Sequence, residues 1–220
     1  MTRENFHKQL QRLQDNVLVL GGLVESAIMS SVDMLKQRDL PGSKRLIEAD
    51  KRINEKRFTI ENEALTLIAT QQPMAGDMRI IASILEIVTD LERIGDYAKG
   101  IANINIMIGE GPLLKPLVDI PRMAEKATDM LHRSLDAFVQ RNVDLARQLP
   151  AEDDEVDNLY NQVYRELITL IMSNPNNIDQ ATYLLWVAHN LERTADRVTN
   201  ICERTIFSVT GEMIELNGSH

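Results

Sequence analysis

The residues best placed to do chemistry are carboxylates set four apart, Glu92 with Asp96 and again Glu192 with Asp196. On a helix that spacing puts both side chains on one face as neighbours, where like charges repel by about 0.2–0.5 kcal/mol unless a cation lies between them. Asp50 with Asn54, and Asp153 with Asp157, repeat the spacing with oxygen donors elsewhere in the chain. Two facing helices bearing such sets would surround a cation with oxygen ligands, a donor set suited to hard cations or iron. Salt bridges to Arg93, Arg193 or Arg197 account for the pairs equally well. Abundance does not decide between these readings. The chain holds 33 acidic residues and five acidic pairs at this spacing, the others being Glu86/Asp90 and Glu125/Asp129, and chance would give about as many. What stands out is that one pair recurs in both halves beside an apolar seam, at Leu91 and at Leu191. Glu125/Asp129 has only Glu25/Met29 opposite it and reads as surface charge. His189 lies three residues before Glu192 and could add a nitrogen ligand, although a lone histidine on a helix is more often structural. A di-iron bundle requires Glu-x-x-His on paired helices, and no such pair of motifs is found.

An enzyme would need more. His7, His132, His189 and His220 fall in different segments and no serine sits in a nucleophile motif, so no nucleophile–base set is legible. The expectation is a non-enzyme. Two rival readings use the same carboxylates: a metal-dependent phosphohydrolase, which would activate water at a bound ion, and a metal-buffering helical protein.

The elements that must position these residues are helices. Aromatics make up 4% of the chain while Leu, Ile, Ala and Met are plentiful, a bias towards helix packing. Pro41, Pro73, the group Pro112, Pro116 and Pro121, then Pro150 and Pro175 mark five joints separating six helices. The first segment repeats Phe6, Leu10, Leu13, Val17, Leu20, Val24, Ala27, Ser31 and Met34 as a coiled-coil-like seam. Gly21-Gly22 interrupts it, at about 1 kcal/mol per glycine against alanine, and marks a bend. The second helix, about residues 43–70, turns Leu46, Ile53, Ile60, Ala64 and Leu67 inward, and the third, about 77–108, turns Ile81, Ile84, Val88, Leu91, Gly95, Ala98 and Ala102. Met123, Ala127, Leu131, Ser134 and Phe138 mark the fourth helix; Val156, Leu159, Val163, Leu167 and Leu170 the fifth; Leu184, Leu185, Val187, Ala188, Leu191, Val198 and Ile201 the sixth.

Displacing the chain on itself by 100 residues places Leu91-Glu92-Arg93 on Leu191-Glu192-Arg193, Asp96 on Asp196, Ile101 on Ile201 and Glu25 on Glu125. A slightly longer displacement brings Asp50 onto Asp153, Asn54 onto Asp157 and Pro73 near Pro175. The expected fold is therefore all-α: two tandem three-helix bundles, residues 1–110 and 111–220, related by internal duplication.

Charge and cysteine use limit the surroundings. A net charge of -9 and a pI near 5.0 argue against a general grip on nucleic acid or anionic lipid. Apolar runs such as 17–20 and 80–82 fall short of the roughly 20 residues that span a bilayer, so no transmembrane helix is expected. Met1-Thr2-Arg3-Glu4-Asn5 leads into charged residues instead of an apolar signal region, and the single Cys202 can form no intrachain disulfide, so the expected location is cytoplasmic. The closing Asn217-Gly218-Ser219-His220 adds no motif.

At Leu91-Glu92-Arg93-Ile94-Gly95-Asp96, echoed by Leu191-Glu192-Arg193-Thr194-Ala195-Asp196, the chain resembles the PhoU family of phosphate-uptake regulators. Glu48-Ala49-Asp50-Lys51-Arg52-Ile53-Asn54, Gln71-Gln72-Pro73 and Gly76-Asp77-Met78-Arg79 extend the resemblance in order over nearly the whole chain. It implies two three-helix bundles side by side and a regulatory role in place of catalysis. That role is an adaptor between a phosphate ABC transporter and a sensor histidine kinase, holding the phosphate-starvation response off when phosphate is plentiful. It further implies a homodimer, membrane association only through partners, and multinuclear iron or zinc on the repeated motifs, with magnesium or manganese as the other candidates. Carried over by position, the implied metal ligands are Asp50, Glu92 and Asp96 in the first half and Asp153, Asp157, Glu192 and Asp196 in the second. Asn54 stands where many members have an acid, which weakens the first site, while Ile94 and Gly95 become Thr194 and Ala195 without moving the carboxylates.

Overall fold

The apolar periods between the prolines become six long helices: α1 Arg3–Gln37, α2 Leu40–Gln71, α3 Ala75–Ile108 and α4 Asp119–Gln140, then, after a short α5 Val143–Gln148, α6 Asp153–Ser173 and α7 Ile178–Thr210. The computed structural model describes residues 3–216, so the expectations on Met1-Thr2 and on Asn217-Gly218-Ser219-His220 lie outside the described residues. Helix α5 and the 3-10 turn Leu149–Glu152 correct the expectation of a plain joint at Pro150. Asn142 starts α5 by accepting a hydrogen bond from the Leu145 amide at 3.0 Å, and six residues are too few to show a period of 3.6. Asp39 caps α2 in the same way through the Gly42 amide at 2.8 Å, with Pro41 in the first turn. Gly109 and Gly211 end α3 and α7 at φ 76° and 81°, a region glycine enters without steric cost.

The first three helices pack on one another, as do α4, α6 and α7, and the two groups join along α3/α7 and α1/α4. Helices α2 and α6 flank this central layer and do not touch among the described residues. Buried side chains form one continuous core through both halves. The α3/α7 pair runs antiparallel: Ser83 donates to the Arg204 carbonyl, Asp90 accepts from Asn200, and a Cβ on Gly100 would lie 3.1 Å from the Asn190 side chain. Residues 90 and 100 thus face 200 and 190, so a local two-fold axis passes between Gly95 and Ala195, in the middle of both carboxylate motifs.

Helix α1 contacts α2, α3 and α4, which widens its buried stripe beyond the expected seam. Ile28, Val32 and Leu35 are core residues, while Ala27 and Met34 are only half-buried. Leu46, Leu159, Leu170 and Leu185, expected inside, are also half-buried. On length and composition alone α1 passes as a membrane span, a test that a buried core helix also passes. In the structure Val17, Leu20, Val24 and Ile28 are wholly buried, and α1 is a core helix.

The helix continues through Gly21-Gly22 without a break, and the two glycines differ. A Cβ on Gly21 would lie 2.2 Å from Leu135 Cδ1 of α4, whereas nothing approaches Gly22 within 4 Å. Gly21→Ala should therefore cost about 1–3 kcal/mol as Leu135 leaves its rotamer. Gly22→Ala should gain up to about 1 kcal/mol from helix propensity. Urea midpoints of the two variants shifting in the same direction would contradict this packing.

At the other end of the bundle, Arg38 at φ 60° ends the α1–α2 turn with its guanidinium on the Gly109 carbonyl, the Gly111 carbonyl and Asn105 Oδ1. The fully buried Asn105 amide donates to Ser43 Oγ at 2.9 Å, the Met34 carbonyl at 3.1 Å and the Asp39 carbonyl at 3.4 Å. One side chain on α3 thereby adds a second donor to carbonyls that already accept from the Asp39 and Ser43 amides, and ties the α1–α2 turn to α3.

Candidate functional site

The first carboxylate set forms where α2 crosses α3 at Gly95. A Cβ there would lie 3.1 Å from Ile53 Cδ1 and 3.9 Å from Asp50 Oδ1, so the absent side chain lets α2 come close. Asp50 is buried, and its Oδ2 accepts from Lys99 Nζ at 2.9 Å and from Asn54 Nδ2 at 3.1 Å. Hydrogen bonding to Asp50, reinforced by the charges of Asp50, Asp96 and Glu92, lifts the Lys99 ammonium above its ordinary pKa despite the opposing effect of burial. Glu92 lies 3.3 Å from Arg57 Nη1 and 3.8 Å from Arg93 Nε, and Asp96 lies 3.5 Å from Arg93 Nη1. Arg57 also binds Glu61 at 2.8 Å, the main cause of its raised pKa. Each carboxylate of the first set therefore faces a cation supplied by the chain.

The second set lies between α6, carrying Asp153 and Asp157, and α7, carrying Glu192 and Asp196. Arg193 binds Asp196 at 3.1 Å, and exposed His189 places Nδ1 3.3 Å from Glu192 while its ring lies 6.4 Å from that of Tyr160. Burial, and after it the charge of Glu192, pushes the Tyr160 hydroxyl above its ordinary pKa. A cleft of about 1130 Å³ opens beside this set, with Asp153, Asp157, Asp196, Arg193, Arg197 and Thr199 in its walls. Glu125 and Asp129 lie apart from it, exposed on α4, with Asp129 bound to Arg133 at 3.1 Å.

Among the described residues, no three of His, Cys, Asp and Glu converge as metal ligands would. Cations of the chain stand at both sets. The first holds Lys99, Arg57 and Arg93 against its carboxylates and leaves Glu92 Oε2 buried without a hydrogen bond. The second lines an open cleft with Asp153, Asp157 and Asp196 and also with Arg147, Arg193 and Arg197, so a hard cation or iron there would have to displace guanidinium groups and draw its ligands inward.

A third carboxylate joins the halves, and sequence reasoning passed it over as one of the chance pairs. Asp90 on α3, 8% exposed, accepts from Arg197 Nη1 at 3.2 Å and Asn200 Nδ2 at 3.3 Å, both on α7. Arg197 is hydrogen-bonded to Tyr97 as well, so α7 grips α3 on either side of the local axis. Burial outweighs these partners and holds the Asp90 carboxyl above its ordinary pKa. The available signal was its position: Asp90 interrupts the apolar stripe of Ile87, Leu91 and Ile94.

Comparison with known proteins agrees with this architecture. The family described as "PhoU domain" matches residues 17–104 and again 120–205, one copy in each half. A phosphate-specific transport system accessory protein PhoU homolog of Clostridium acetobutylicum is 37% identical over 218 residues, covering 99% of this chain and 100% of that one. The homolog from Aquifex aeolicus is also 37% identical, over 94% of each chain. The crystal structure of the phosphate transport system regulatory protein PhoU from Streptococcus pneumoniae superposes with a TM-score of 0.87 at 30% identity, over 95% of this chain and 99% of that one. PhoU from Pseudomonas aeruginosa gives 0.86 at 34% identity, over 94% and 100%. With both halves matched and relatives aligned end to end, the chain belongs to the PhoU family, the accessory and regulatory proteins of phosphate transport systems.

Proposed function

We propose that this chain is a non-catalytic adaptor linking a phosphate ABC transporter to a sensor histidine kinase, and that it holds the phosphate-starvation response off while phosphate is plentiful. The observation that carries this reading is the end-to-end match to accessory proteins of phosphate-specific transport. His7, His132 and His189 are exposed on α1, α4 and α7, with His132 3.4 Å from Glu25 and His189 3.3 Å from Glu192. The adaptor acts in the cytoplasm as a homodimer and meets the membrane only through its partners. Iron or zinc, or else magnesium or manganese, is carried on the repeated carboxylates Asp50, Glu92, Asp96, Asp153, Asp157, Glu192 and Asp196.

Deleting the gene in its native host should raise a phosphate-starvation reporter at high phosphate by about tenfold or more, and restoring the chain should silence it. A reporter that stays silent in the deletion strain would sink the adaptor reading. Metal is tested separately on protein purified without a histidine tag. Elemental analysis should find iron or zinc, of which Glu192→Ala/Asp196→Ala removes more than Glu92→Ala/Asp96→Ala does. Phosphate-ester turnover lost in Glu192→Ala would instead favour the phosphohydrolase.

A further inference from the structure

One face of the second repeat carries rings where the first carries none. Along α7, Tyr183, Trp186 and His189 follow at steps of three, which keeps them adjacent on the helix surface. The Tyr183 and Trp186 rings lie 5.7 Å apart, and the His189 ring lies 6.4 Å from that of Tyr160 on α6, with Tyr164 one turn further along that helix. Five rings thus run in a line across α7 and α6. Of the four tyrosines and one tryptophan in the chain, only Tyr97 stands outside it. Trp186 is 48% exposed and Tyr164 46%, so the line is open to water, and none of its five residues lines the arginine-bearing cleft.

The duplication shows that the fold does not require these rings. Displacements of 100 residues for α7 and 103 for α6 put Ser83, Glu86 and Thr89 in place of Tyr183, Trp186 and His189, and Arg57 and Glu61 in place of Tyr160 and Tyr164. There the first repeat forms ion pairs: Glu86 binds Arg204 at 3.1 Å, and Arg57 binds Glu61 at 2.8 Å. The second repeat instead holds the broad rings of Trp186 and Tyr164 in water, the residue types that contribute most when a partner covers them.

Charge indicates the occupant. Along α7 the line is bounded by carboxylates, exposed Asp179 one turn before Tyr183 and Glu192 three residues after His189. Of the nearby cations, Arg193 is held by Asp196 at 3.1 Å, and Arg165 stands about 100° round α6 from Tyr164. Ring faces bounded by carboxylates suit guanidinium groups, which stack on aromatics and pair with carboxylates. The net charge of -9 draws a cationic segment towards the chain. We propose that the line of Tyr183, Trp186, His189, Tyr160 and Tyr164 is the docking face for an arginine-bearing segment of a partner protein. The proposal rests on the adaptor reading and assigns it a surface.

A fluorescein-labelled hexa-arginine peptide is titrated with full-length protein and followed by anisotropy, beside hexaglutamate and an alternating leucine-serine hexapeptide. Hexa-arginine should bind and the other two should not. Trp186→Glu/Tyr164→Glu copies Glu86 and Glu61 of the first repeat into the second and makes the protein more acidic. A general attraction between opposite charges would then strengthen, whereas loss of two rings should weaken hexa-arginine binding by about tenfold. Phe58→Glu/Leu65→Glu, which adds the same charge at two exposed apolar residues of α2, should not weaken it. Equal or tighter binding by Trp186→Glu/Tyr164→Glu would overturn the proposal, and so would leucine-serine peptide binding as tightly as hexa-arginine.

In the native host the same variant, with an unchanged melting temperature, should lift the phosphate-starvation reporter at high phosphate to within about twofold of the deletion strain. Should it not fold, Trp186→Gln/Tyr164→Gln makes the same test. A folded variant that silences the reporter fully, where the deletion strain does not, would overturn the docking face and leave the adaptor reading intact. A reporter silent in the deletion strain itself would defeat the adaptor reading, and the peptide titration would still decide whether the face takes arginine.

Discussion

Replacing Asn105 with alanine should lower folding stability by about 3 kcal/mol, one of the largest single-residue losses available in this chain. The side chain is wholly buried, accepts from Arg38, and donates to Ser43 Oγ and to the carbonyls of Met34 and Asp39. Alanine deletes every one of these bonds and leaves a cavity; the Met34 and Asp39 carbonyls keep their backbone donors, so the cost lies in the bonds lost, the void, and the Ser43 hydroxyl and Arg38 guanidinium each short of a partner. For a chain of 220 residues the melting temperature should fall by roughly 6–12 °C. A double-mutant cycle with Arg38→Ala should be strongly non-additive, because Arg38 has already lost a principal acceptor in the single variant. A loss below about 1 kcal/mol would mean that the α1–α2 turn satisfies itself without α3.

Arg197→Met should be nearly as damaging, about 3 kcal/mol at pH 7.5, and its effect should depend on pH. The substitution leaves Asp90 buried with Asn200 as its remaining partner. Burial already holds the folded carboxyl above its ordinary pKa, and loss of the guanidinium raises it further. A group whose folded pKa exceeds its unfolded one contributes stability below the unfolded pKa and loses it as pH rises through the folded value. The deficit of the variant should therefore be smallest at pH below the ordinary carboxyl range, where Asp90 is protonated in both states, and grow as pH climbs through the raised pKa. Urea denaturation at several pH values measures this. Asp90→Asn, made in the Arg197→Met background, should flatten the dependence, and a slope that persists would assign the titration to another group.

Much of the fold is legible in the sequence. On α3 the expected stripe of Ile81, Ile84, Val88, Leu91, Gly95, Ala98 and Ala102 is buried throughout. Ile80, Ile87, Ile94 and Ile101 are buried too, because α1, α2 and α7 enclose α3 from several sides, and an amphipathic reading assumes one. Self-displacement reveals the duplication, but it cannot show that α3 and α7 cross at the middle of their motifs, since that depends on which faces the halves use to meet. The same limit applies to the site. Glu92, Asp96, Glu192 and Asp196 recur visibly, whereas the identity of what faces them depends on the neighbouring helix. Arg57 and Lys99 escaped notice because a repeat search rewards likeness, and these two positions are where the halves differ.

That difference bears on why the halves are joined at all. Two separate three-helix units meeting about a real two-fold axis would be isologous, and every substitution would appear on both sides of the interface. A lysine introduced at one site would stand at its twin as well. Within a single chain the axis near Gly95 and Ala195 is only approximate, so one side can acquire Lys99 while the other keeps Thr199. Covalent linkage thereby gives a pseudo-symmetric molecule what a symmetric dimer is denied: two related surfaces free to specialise independently at fixed one-to-one stoichiometry.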